Sequence, residues 1–324
     1  MRKPLASLSL DLDNKWAYLR TLGPGNWEHY PCYLDVVAPR VVAALERFDL
    51  RMTVFVVGKD LESESGRDAV CQLAEAGCEI GNHTYNHYPW LQTLPRAEQR
   101  REILDAHDAI RLLTGAPPRG FRGPGFSNSA QLLGLLTELD YAYDSSSLPA
   151  ATAPLARMYC AANSLWSSGP RGQMFGSWTD AFRPLRPHRI DTPYGGITEL
   201  PVTTMPLLRT PIHMTYLAHL AQYSRGAAAA YLQTAARLCK VRGVAPSLLL
   251  HPLDFMGAED DPELTFLPGM RLPGEAKWAL LVEMLERFAE HFELNTVAAH
   301  AGLTVPPLGR EDTIAAVSGA GDGG

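Results

Sequence analysis

Cysteine is scarce in this sequence, and its distribution does not suggest a disulfide framework. The 324 residues include five cysteines, and no two of them form the Cys-x-x-Cys pair of redox and zinc-binding motifs. An odd, dispersed set in a chain of this length is typical of free thiols in a reducing compartment. The sequence therefore predicts free cysteines that pack as small apolar residues.

Long apolar stretches are missing as well. A membrane-spanning helix needs about 18 or more predominantly apolar residues in a row, and no window of the sequence provides them. The N-terminal run "MRKPLASLSLDLD" reaches Asp11 after a short apolar stretch interrupted by serine, whereas a secretory signal needs a longer apolar core. We therefore expect a cytoplasmic protein.

Positive charge is not in excess, and the glycine motifs of nucleotide-binding proteins are absent. Lys and Arg number 29 against 35 Asp and Glu, which gives a net charge of -6. Because the basic residues are also scattered along the chain, we predict no nucleic-acid partner. No GxGxxG or Walker sequence follows the first predicted strand, which argues against a dinucleotide or P-loop site.

The residues that are present predict a globular α/β protein. Apolar residues make up 46% of the chain and charged residues 20%, as in packed domains. Short β-like runs alternate with longer amphipathic segments, which favours parallel strands joined by crossover helices. About seven to eight such strands predict a barrel, with an open doubly wound sheet as the alternative. The predicted strands cover residues 5–12, 52–58, 78–82, 119–123, 139–146, 197–202, 247–251 and 292–297.

The predicted domain organisation is simple. Residues 1–305 should form a single barrel domain. Within it, residues 147–196 are rich in Pro, Gly and Ser and are predicted to be a loop insertion. Residues 306–324 are rich in glycine and are predicted to be a flexible tail.

The first candidate site residues are His83 and His87 in "CEIGNHTYNHYPWL". On a strand, side chains four residues apart lie about 13 Å from each other, too far to share one ion. On a helical turn they lie about 6 Å apart on one face. We therefore expect the chain to turn helical directly after the strand at 78–82. That position is the carboxyl end of a strand, where barrel enzymes build their active sites.

A second candidate pair lies in "SLSLDLD". Strand alternation places Asp11 and Asp13 on one face, about 6.6 Å apart along the backbone. Buried carboxylates need a metal, an arginine or a hydrogen-bond network as partner. Two histidines and one carboxylate form a three-ligand set that leaves a coordination position of Zn²⁺ open for water. The spacing alone does not decide which aspartate binds metal and which is free for proton transfer.

Two further polar residues fall at strand ends. Arg122 in "GFRGPGFSNS" is flanked by glycines and can approach a buried carboxylate closely. His251 in "SLLLHPLDF" directly follows an apolar run typical of a fully buried strand. Polar groups at the carboxyl ends of several different strands are what one site at a barrel mouth requires.

These segments together resemble a known family. "SLDLD", "NHTYNH", "RGPG" and "LLLHP" occur in the order and approximate spacing of the polysaccharide deacetylase family, carbohydrate esterase family 4, over roughly residues 5 to 300. The most specific parts are the His-[Ser/Thr]-x-x-His form and the "LHP" segment. The chain differs from the commonest members in that Leu12 separates the two aspartates, as in a subset of intracellular members. The resemblance implies a distorted (β/α) barrel of about seven to eight parallel strands.

The resemblance also implies a role for each candidate residue. Asp13, His83 and His87 would be the ligands of a divalent metal, most simply zinc. Asp11 would be the general base, Arg122 the residue that orients this base, and His251 the general acid. These roles are chemically consistent, because a metal polarises an amide carbonyl and a histidine can protonate a leaving amine near neutral pH.

The resulting functional prediction is a metal-dependent hydrolase that removes an N-acetyl group from an amino sugar. The substrate would be an oligosaccharide, a polysaccharide precursor or a lipid-linked glycan, the last with peripheral contact to a membrane. Two alternatives keep the fold: a deformylase of a lipid-linked amino sugar and an allantoinase-like amidase. A third alternative, from another class, is a non-catalytic carbohydrate-binding barrel.

Overall fold

The computed structural model describes residues 2–22, 26–151 and 181–303. Their strands are β1 (Leu5–Leu12), β2 (Thr53–Val56), β3 (Glu79–Asn82), β4 (Gly120–Phe121), β5 (Tyr143–Asp144), β6 (His188–Thr192), β7 (Gly195–Glu199), β8 (Ser247–Leu250) and β9 (Glu293–Asn295). Their helices are α1 (Lys15–Leu22), α2 (Leu34–Phe48), α3 (Glu64–Glu75), α4 (Arg96–Thr114), α5 (Ala130–Glu138), α6 (Met214–Tyr223), α7 (Arg225–Val241), α8 (Gly274–Ala289) and α9 (Val297–His300).

These strands form one curled sheet. Its order is β6-β7-β5-β4-β3-β2-β1-β8, with β9 paired to the first half of β1. All strands run parallel except β6, which forms an antiparallel hairpin with β7. Helices cross over between the parallel strands, as expected for right-handed βαβ connections. The predicted α/β class and the distorted (β/α) barrel are confirmed.

The barrel is distorted because its last gap is not closed by a regular ladder. In the described ranges, β8 and β6 are the two ends of the strand order. The chain beyond β7 bridges the gap instead: the backbone N–H of Thr203 donates to Ser247 O at 3.0 Å. The N–H of Ser247 donates back to Thr203 Oγ1 at 2.8 Å. Two hydrogen bonds of one residue thus take the place of a strand pair.

Alternation along β1 determines which side chains face the helices and which face the barrel interior. Leu8, Leu10 and Leu12 are buried in the main core cluster, which also holds apolar residues of α2 and α8. Burying a leucine fully stabilises the fold by about 1.5–3 kcal/mol. Asp11 and Ser9 point the other way, into the barrel, where both are also buried. The two faces of one strand therefore supply the core and the polar interior.

Helix ends follow the local signals of the sequence. Helix α3 begins after Ser63, whose hydroxyl accepts from the backbone N–H of Gly66, and α4 ends at Gly115 with φ 76. Helix α8 begins directly after Pro273. Helix α4 thus has a glycine C-cap, Gly115. Glycine suits that position because it has no Cβ to clash in the left-handed conformation.

The structure differs from the sequence prediction in the region before β7. Residues 147–196 were expected to be a loop insertion, but 188–192 form β6 and extend the sheet. The short alternation "HRIDT" has intermediate and exposed positions throughout, so it lacks the apolar face by which a strand is recognised. Residues 152–180 of the predicted insertion and the predicted tail at 306–324 lie outside the described ranges.

The segment 211–239, which looks like one long apolar-faced helix, is two helices. Ser224 interrupts it with extended backbone (φ -159), and its hydroxyl accepts from the N–H of Ala227 to begin α7. A serine competes for backbone hydrogen bonds and favours such a cap. No helix within the described ranges combines the length and the apolarity needed to span a bilayer.

Candidate metal centre

Polar residues follow the parallel strands at a common level. Leu12 of β1 is in register with Val56 of β2, Val56 with Asn82 of β3, and Asn82 with Phe121 of β4. The next position along each strand therefore lies at one layer across the barrel mouth. Because Cβ directions alternate along a strand, these positions point into the barrel when their outward neighbours face the helices. The residues directly after the strands in this layer are Asp13 (β1), His83 (β3) and Arg122 (β4), whereas His251, which directly follows β8, is level with Asp11.

Three of the predicted residues form a tight buried cluster. Asp13 Oδ1 lies 3.0 Å from His87 Nε2 and 3.3 Å from His83 Nε2. One potential ligand atom from each residue falls within 4.8 Å of the others. All three side chains are buried. The structure therefore brings Asp13, His83 and His87 together, although about 70 residues separate the aspartate from the histidines along the chain.

The tautomer of His83 is fixed by a neighbouring strand. His83 Nδ1 lies 2.6 Å from the backbone carbonyl oxygen of Arg122, so Nδ1 carries the hydrogen and donates it. Nε2 then presents a lone pair towards the carboxylate of Asp13. A ring N–H held by a carbonyl is the usual support for a metal-binding histidine.

His87 reaches the cluster by a different route from the one predicted. The segment after β3 does not turn helical. Thr84 (φ 65) and His87 (φ 52) instead adopt left-handed backbone conformations, and the N–H of His87 donates to Thr84 Oγ1 at 3.2 Å. The expected helical turn was wrong because two left-handed residues fold the chain back more tightly than the i to i+4 spacing suggests.

Two side chains from outside this turn hold it in place. Glu102 of α4 accepts from the backbone N–H of Asn86 at 2.7 Å and from its side-chain amide at 2.6 Å. Arg20 of α1 donates to the carbonyl oxygens of Asn86 and His87, both at 2.6 Å. The Arg20 guanidinium also lies over the rings of Trp16 and Tyr88, 4.9 Å from each centroid. These contacts offset the cost of the two strained residues, which is about 1–3 kcal/mol each.

The electrostatics favour an ionised carboxylate beside imidazoles. Burial by itself raises the pKa of Asp13, but His87 and His83 outweigh burial and hold it well below its ordinary value. Burial, together with the charges of His83 and Arg20, lowers the pKa of His87, although Asp13 raises it. For His83 burial also lowers the pKa, but the charges of Asp11 and Asp13 prevail and raise it. An ionised Asp13 and a neutral His87 are the forms in which these side chains ligate metals.

The cluster fits a divalent cation better than it fits a hydrogen-bonded network. Asp13 Oδ1 is buried and has no well-directed hydrogen bond despite its two close histidines. With the His83 hydrogen on Nδ1, the Nε2 lone pair faces the lone pairs of Oδ1, an arrangement that a cation between them relieves. Two imidazoles and one carboxylate are a common donor set for zinc, with a further position open.

Asp11 lies beside the cluster and is held by Arg122. Arg122 Nη1 donates to Asp11 Oδ1 at 2.7 Å and to Ser9 Oγ at 2.9 Å. Its other nitrogens donate to the carbonyl oxygen and hydroxyl of Ser145 at 2.9 and 2.8 Å. The guanidinium is fully buried and lies 4.3 Å above the ring of Phe55. One carboxylate oxygen of Asp11 is thus hydrogen-bonded to the guanidinium of Arg122, and this direct bond fixes the orientation of the carboxylate.

His251 lies on the strand next to Asp11. Leu250 of β8 is paired with Leu10 of β1, so His251 is level with Asp11. His251 Nδ1 is 3.1 Å from Thr215 Oγ1 of α6, and its backbone N–H donates to Asp254 Oδ2 at 2.8 Å. All six predicted site residues therefore belong to the same end of the barrel, and side-chain contacts of 3.3 Å or less join five of them: Asp11 with Arg122, and Asp13 with His83 and His87.

Sequence reasoning missed several residues of this region. Thr215 and Asp254 contact His251, and Ser9 and Ser145 contact Arg122. Burial raises the pKa of the Tyr18 hydroxyl well above its ordinary value, and the charge of Asp13 makes the next largest contribution. Only Asp254 carries a recognisable signal, because an acidic residue three positions after His251 suits the first turn of a short helix.

A second carboxyl pair lies on the outer face of the same strand ends. Asp144 of β5 is in register with Glu199 of β7, and both side chains are buried. Burial, followed by the charge of Asp144, raises the pKa of Glu199 well above its ordinary value. The pair is therefore expected to share one proton, because two adjacent buried carboxyls do not both ionise readily.

The raised pKa of this carboxyl pair predicts that the folded protein becomes less stable as pH rises. A raised carboxyl pKa means that the folded protein keeps a proton that the unfolded chain releases above about pH 4.5. The free energy of unfolding should therefore decrease as pH rises from about 5 to about 8, and Glu199→Gln should remove part of this decrease. Urea unfolding at both pH values measures the difference. Glu46→Gln, on an exposed position of α2, is the control, and equal slopes in all three proteins would contradict the shared proton.

Comparisons with known proteins agree with the fold and with the motifs. The polysaccharide deacetylase family model matches residues 27–143, a range that includes His83, His87 and Arg122. A peptidoglycan-N-acetylglucosamine deacetylase from Bacillus cereus is 30% identical over 86 residues, which are 26% of this chain and 30% of that protein. The aligned part is thus less than a third of this relative. The resemblance to the polysaccharide deacetylase family, carbohydrate esterase family 4, is confirmed.

Two solved structures share the fold over most of their length. One is a proposed polysaccharide deacetylase from Mycobacterium smegmatis, with a TM-score of 0.54, 17% identity and coverage of 96% of this chain and 99% of that one. The other is the chitin deacetylase of Colletotrichum lindemuthianum, with a TM-score of 0.52, 16% identity and coverage of 94% and 90%. At these identities the likeness concerns the fold alone.

Proposed function

We propose that this protein is a divalent-metal-dependent hydrolase that removes the N-acetyl group from an amino sugar. One observation carries the proposal: a buried Asp-His-His cluster lies at the mouth of a deacetylase-type barrel, beside a separate aspartate held by a buried arginine. A structural metal site needs no such second carboxylate, whereas amide hydrolysis needs a base next to the metal.

Asp13, His83 and His87 are the residues that would hold the metal, and zinc is the ion that we propose. When bound, such an ion polarises an amide carbonyl and makes water a stronger acid. The contribution of the chain is to keep Asp13 ionised and to direct Nε2 of His83 towards it. Arg20 and Glu102 keep His87 in reach by fixing the backbone of its turn.

Asp11 is proposed as the general base. Arg122 occupies one of its carboxylate oxygens, which leaves the other to accept a proton from water as the water oxygen attacks the carbonyl carbon. Arg122 also keeps Asp11 from turning towards the histidines, because its remaining nitrogens are bound to Ser145. A base that is already oriented needs no rearrangement during the reaction.

His251 is proposed as the general acid. When the tetrahedral intermediate collapses, the carbon–nitrogen bond breaks and the sugar nitrogen takes the electron pair together with a proton. An imidazolium is suited to supply that proton near neutral pH. The products are acetate and a free amine, and the proton taken up by Asp11 balances the proton released by His251.

The proposed substrate class follows from the relatives. The Bacillus cereus relative is named for peptidoglycan N-acetylglucosamine and the Colletotrichum structure for chitin, and both names describe N-acetylated amino sugars. We propose an oligosaccharide, a polysaccharide precursor or a lipid-linked glycan as the substrate, the last with peripheral membrane contact. The cytoplasmic location and the metal identity stay predictions.

A substrate screen tests the proposed activity. The protein is incubated with N-acetyl and N-formyl amino sugars in free, nucleotide-linked and lipid-linked form, and with allantoin, with and without a chelator. We expect chelator-sensitive release of acetate. Formate release would identify a deformylase instead, and opening of allantoin an amidase of that type. Binding of glycans without any chelator-sensitive turnover would support a non-catalytic barrel.

Replacing a histidine of the cluster should remove both metal and activity. His83→Ala deletes an imidazole that is held at 2.6 Å by Arg122, so we expect the zinc content after dialysis to fall from about one ion per chain to near zero. Acetate release should fall with it. His107→Ala is the matched control, because that half-buried histidine lies on α4 and contacts Tyr141. Full metal content in His83→Ala would contradict the proposed ligand set.

A further inference from the structure

The ring of His251 is connected to a buried carboxylate through a hydroxyl group on another element. We propose that Thr215 is a positioning residue that links Asp254 to His251 and fixes the ring so that Nε2 is the nitrogen available to the substrate. This inference rests on the proposed function, because it concerns the residue assigned there as the general acid.

The contacts form a continuous chain of three side chains. Thr215 Oγ1 lies 3.1 Å from His251 Nδ1 and 3.1 Å from Asp254 Oδ1. The second oxygen of Asp254 accepts from the backbone N–H of His251 at 2.8 Å. Asp254 is 1% exposed. Both of its oxygens therefore serve His251, one directly through the backbone and one through Thr215.

The direction of these hydrogen bonds follows from the number of hydrogens. A threonine hydroxyl has one hydrogen, and the carboxylate of Asp254 can only accept. The Thr215 hydrogen therefore goes to Asp254, and the Thr215 oxygen accepts from His251 Nδ1–H. In the neutral ring Nε2 is then bare, and in the imidazolium the second hydrogen sits on Nε2. That hydrogen is the one which can pass to a leaving amine.

Two other titratable side chains near His251, among the residues that the structure describes, are bound elsewhere. The ring of His213 packs edge-on against that of His251, with centroids 6.1 Å apart, but its Nδ1 accepts from the backbone N–H of Tyr216. Burial lowers the pKa of His213 to about 3, so this ring is neutral. Lys277 lies behind the Pro252–Phe255 turn and donates to the carbonyl oxygen of Leu253 at 2.7 Å.

Kinetics with two kinds of leaving group test this role. Thr215→Val removes the hydroxyl but keeps the shape, and we expect kcat on the amide substrate to fall about tenfold with KM unchanged, the loss expected for one hydrogen bond. An aryl acetate, whose leaving group needs no proton, should lose less than about twofold. Thr215→Ser should restore the amide rate. Thr234→Val is the control, because Thr234 on α7 is exposed and bonds to the carbonyl oxygen of Ala230 in its own helix.

The tautomer of His251 gives a readout that does not depend on activity. Nitrogen-15 NMR of labelled protein, assigned with a His251→Gln variant, should show neutral His251 with its hydrogen on Nδ1 in the wild type and in Thr215→Ser. Thr215→Val should lose this preference. In Asp254→Asn the side-chain oxygen of the asparagine still accepts from the backbone N–H of His251, so its NH2 group donates to Thr215 Oγ1. The Thr215 hydroxyl then donates to His251 Nδ1, and the ring hydrogen of His251 moves to Nε2.

The two measurements separate the inference from the proposed function. Equal losses on the amide and on the aryl acetate in Thr215→Val would overturn the positioning role and indicate a general structural defect. A wild-type His251 with its hydrogen on Nε2 would overturn the role as well. If no amino-sugar amide is hydrolysed but the tautomer responds as described, the proposed function fails while the Thr215 linkage stands.

Discussion

Replacing Asp11 with asparagine should lower kcat for acetate release by about a thousandfold, within the usual range for loss of a general base. The substitution is conservative in structure. The asparagine oxygen can still accept from Arg122, which donates to Asp11 at 2.7 Å, but an amide does not take up the proton of the attacking water. Because Asp11 is not among the three clustered ligands, the zinc content should be unchanged. Metal analysis and rate measurement on one preparation check both parts.

Two further variants make this result specific. Asp13→Asn lies two residues away on the same face of the chain, and it should lose metal together with activity because Asp13 contacts both histidines. Asp35→Asn, at an exposed position of α2, should change neither. If Asp11→Asn instead lost its metal and Asp13→Asn kept it, the assignment of ligand and base would be reversed. If both variants kept full activity, the proposed chemistry would be wrong.

The part of the site that could be predicted from the sequence is the part that strand geometry controls. The alternation in "SLSLDLD" places Asp11 and Asp13 on the face opposite Leu10 and Leu12, and the structure has this arrangement in β1. His251 and Arg122 were predictable because each directly follows a strand. Parallel strands in register end at one edge of a sheet, so residues just beyond different strands meet there.

The part that could not be predicted depends on tertiary contacts and on backbone conformations without a sequence signal. The left-handed conformations at Thr84 and His87 are unusual for such residues, and Glu102 and Arg20, which hold that turn, come from other elements. Thr215 lies on a helix that the sequence shows only as an apolar-faced segment. The hairpin partner β6 carries no apolar alternation. The local sequence pattern does not predict any of these features, because the residues that stabilise each of them are distant in the chain.

Arg122 connects the chemistry of the site to the stability of the fold. Its side chain contacts Ser9 of β1, Ser145 directly after β5 and the ring of Phe55 on β2, and its carbonyl oxygen accepts from His83. A fully buried guanidinium is costly to desolvate, and here polar groups and an aromatic face surround it. We infer that Arg122 keeps the base and one ligand in a fixed relation across four strands.

Replacing Arg122 with methionine should therefore produce the largest loss of stability among these variants. Removing one partner of a buried ion pair leaves the other uncompensated and typically costs about 3–5 kcal/mol. Methionine fills much of the same volume, so the loss should come mainly from the unpaired Asp11 and the freed polar groups of Ser9 and Ser145. Urea unfolding of the metal-free protein measures the free energy of unfolding without any contribution from metal binding. Acetate release should also fall to background.

A double variant separates the charge from the packing. In Arg122→Met combined with Asp11→Asn no buried charge is left unpaired, so the second substitution should recover at least about 1 kcal/mol of the stability lost to the first. Arg100→Met, on the exposed side of α4, is the matched control and should change the free energy of unfolding by less than about 0.5 kcal/mol. If Asp11→Asn lowers stability equally in the wild type and in Arg122→Met, the two residues are not energetically coupled. The orientation of Asp11 would then come from the packing around it and not from the guanidinium.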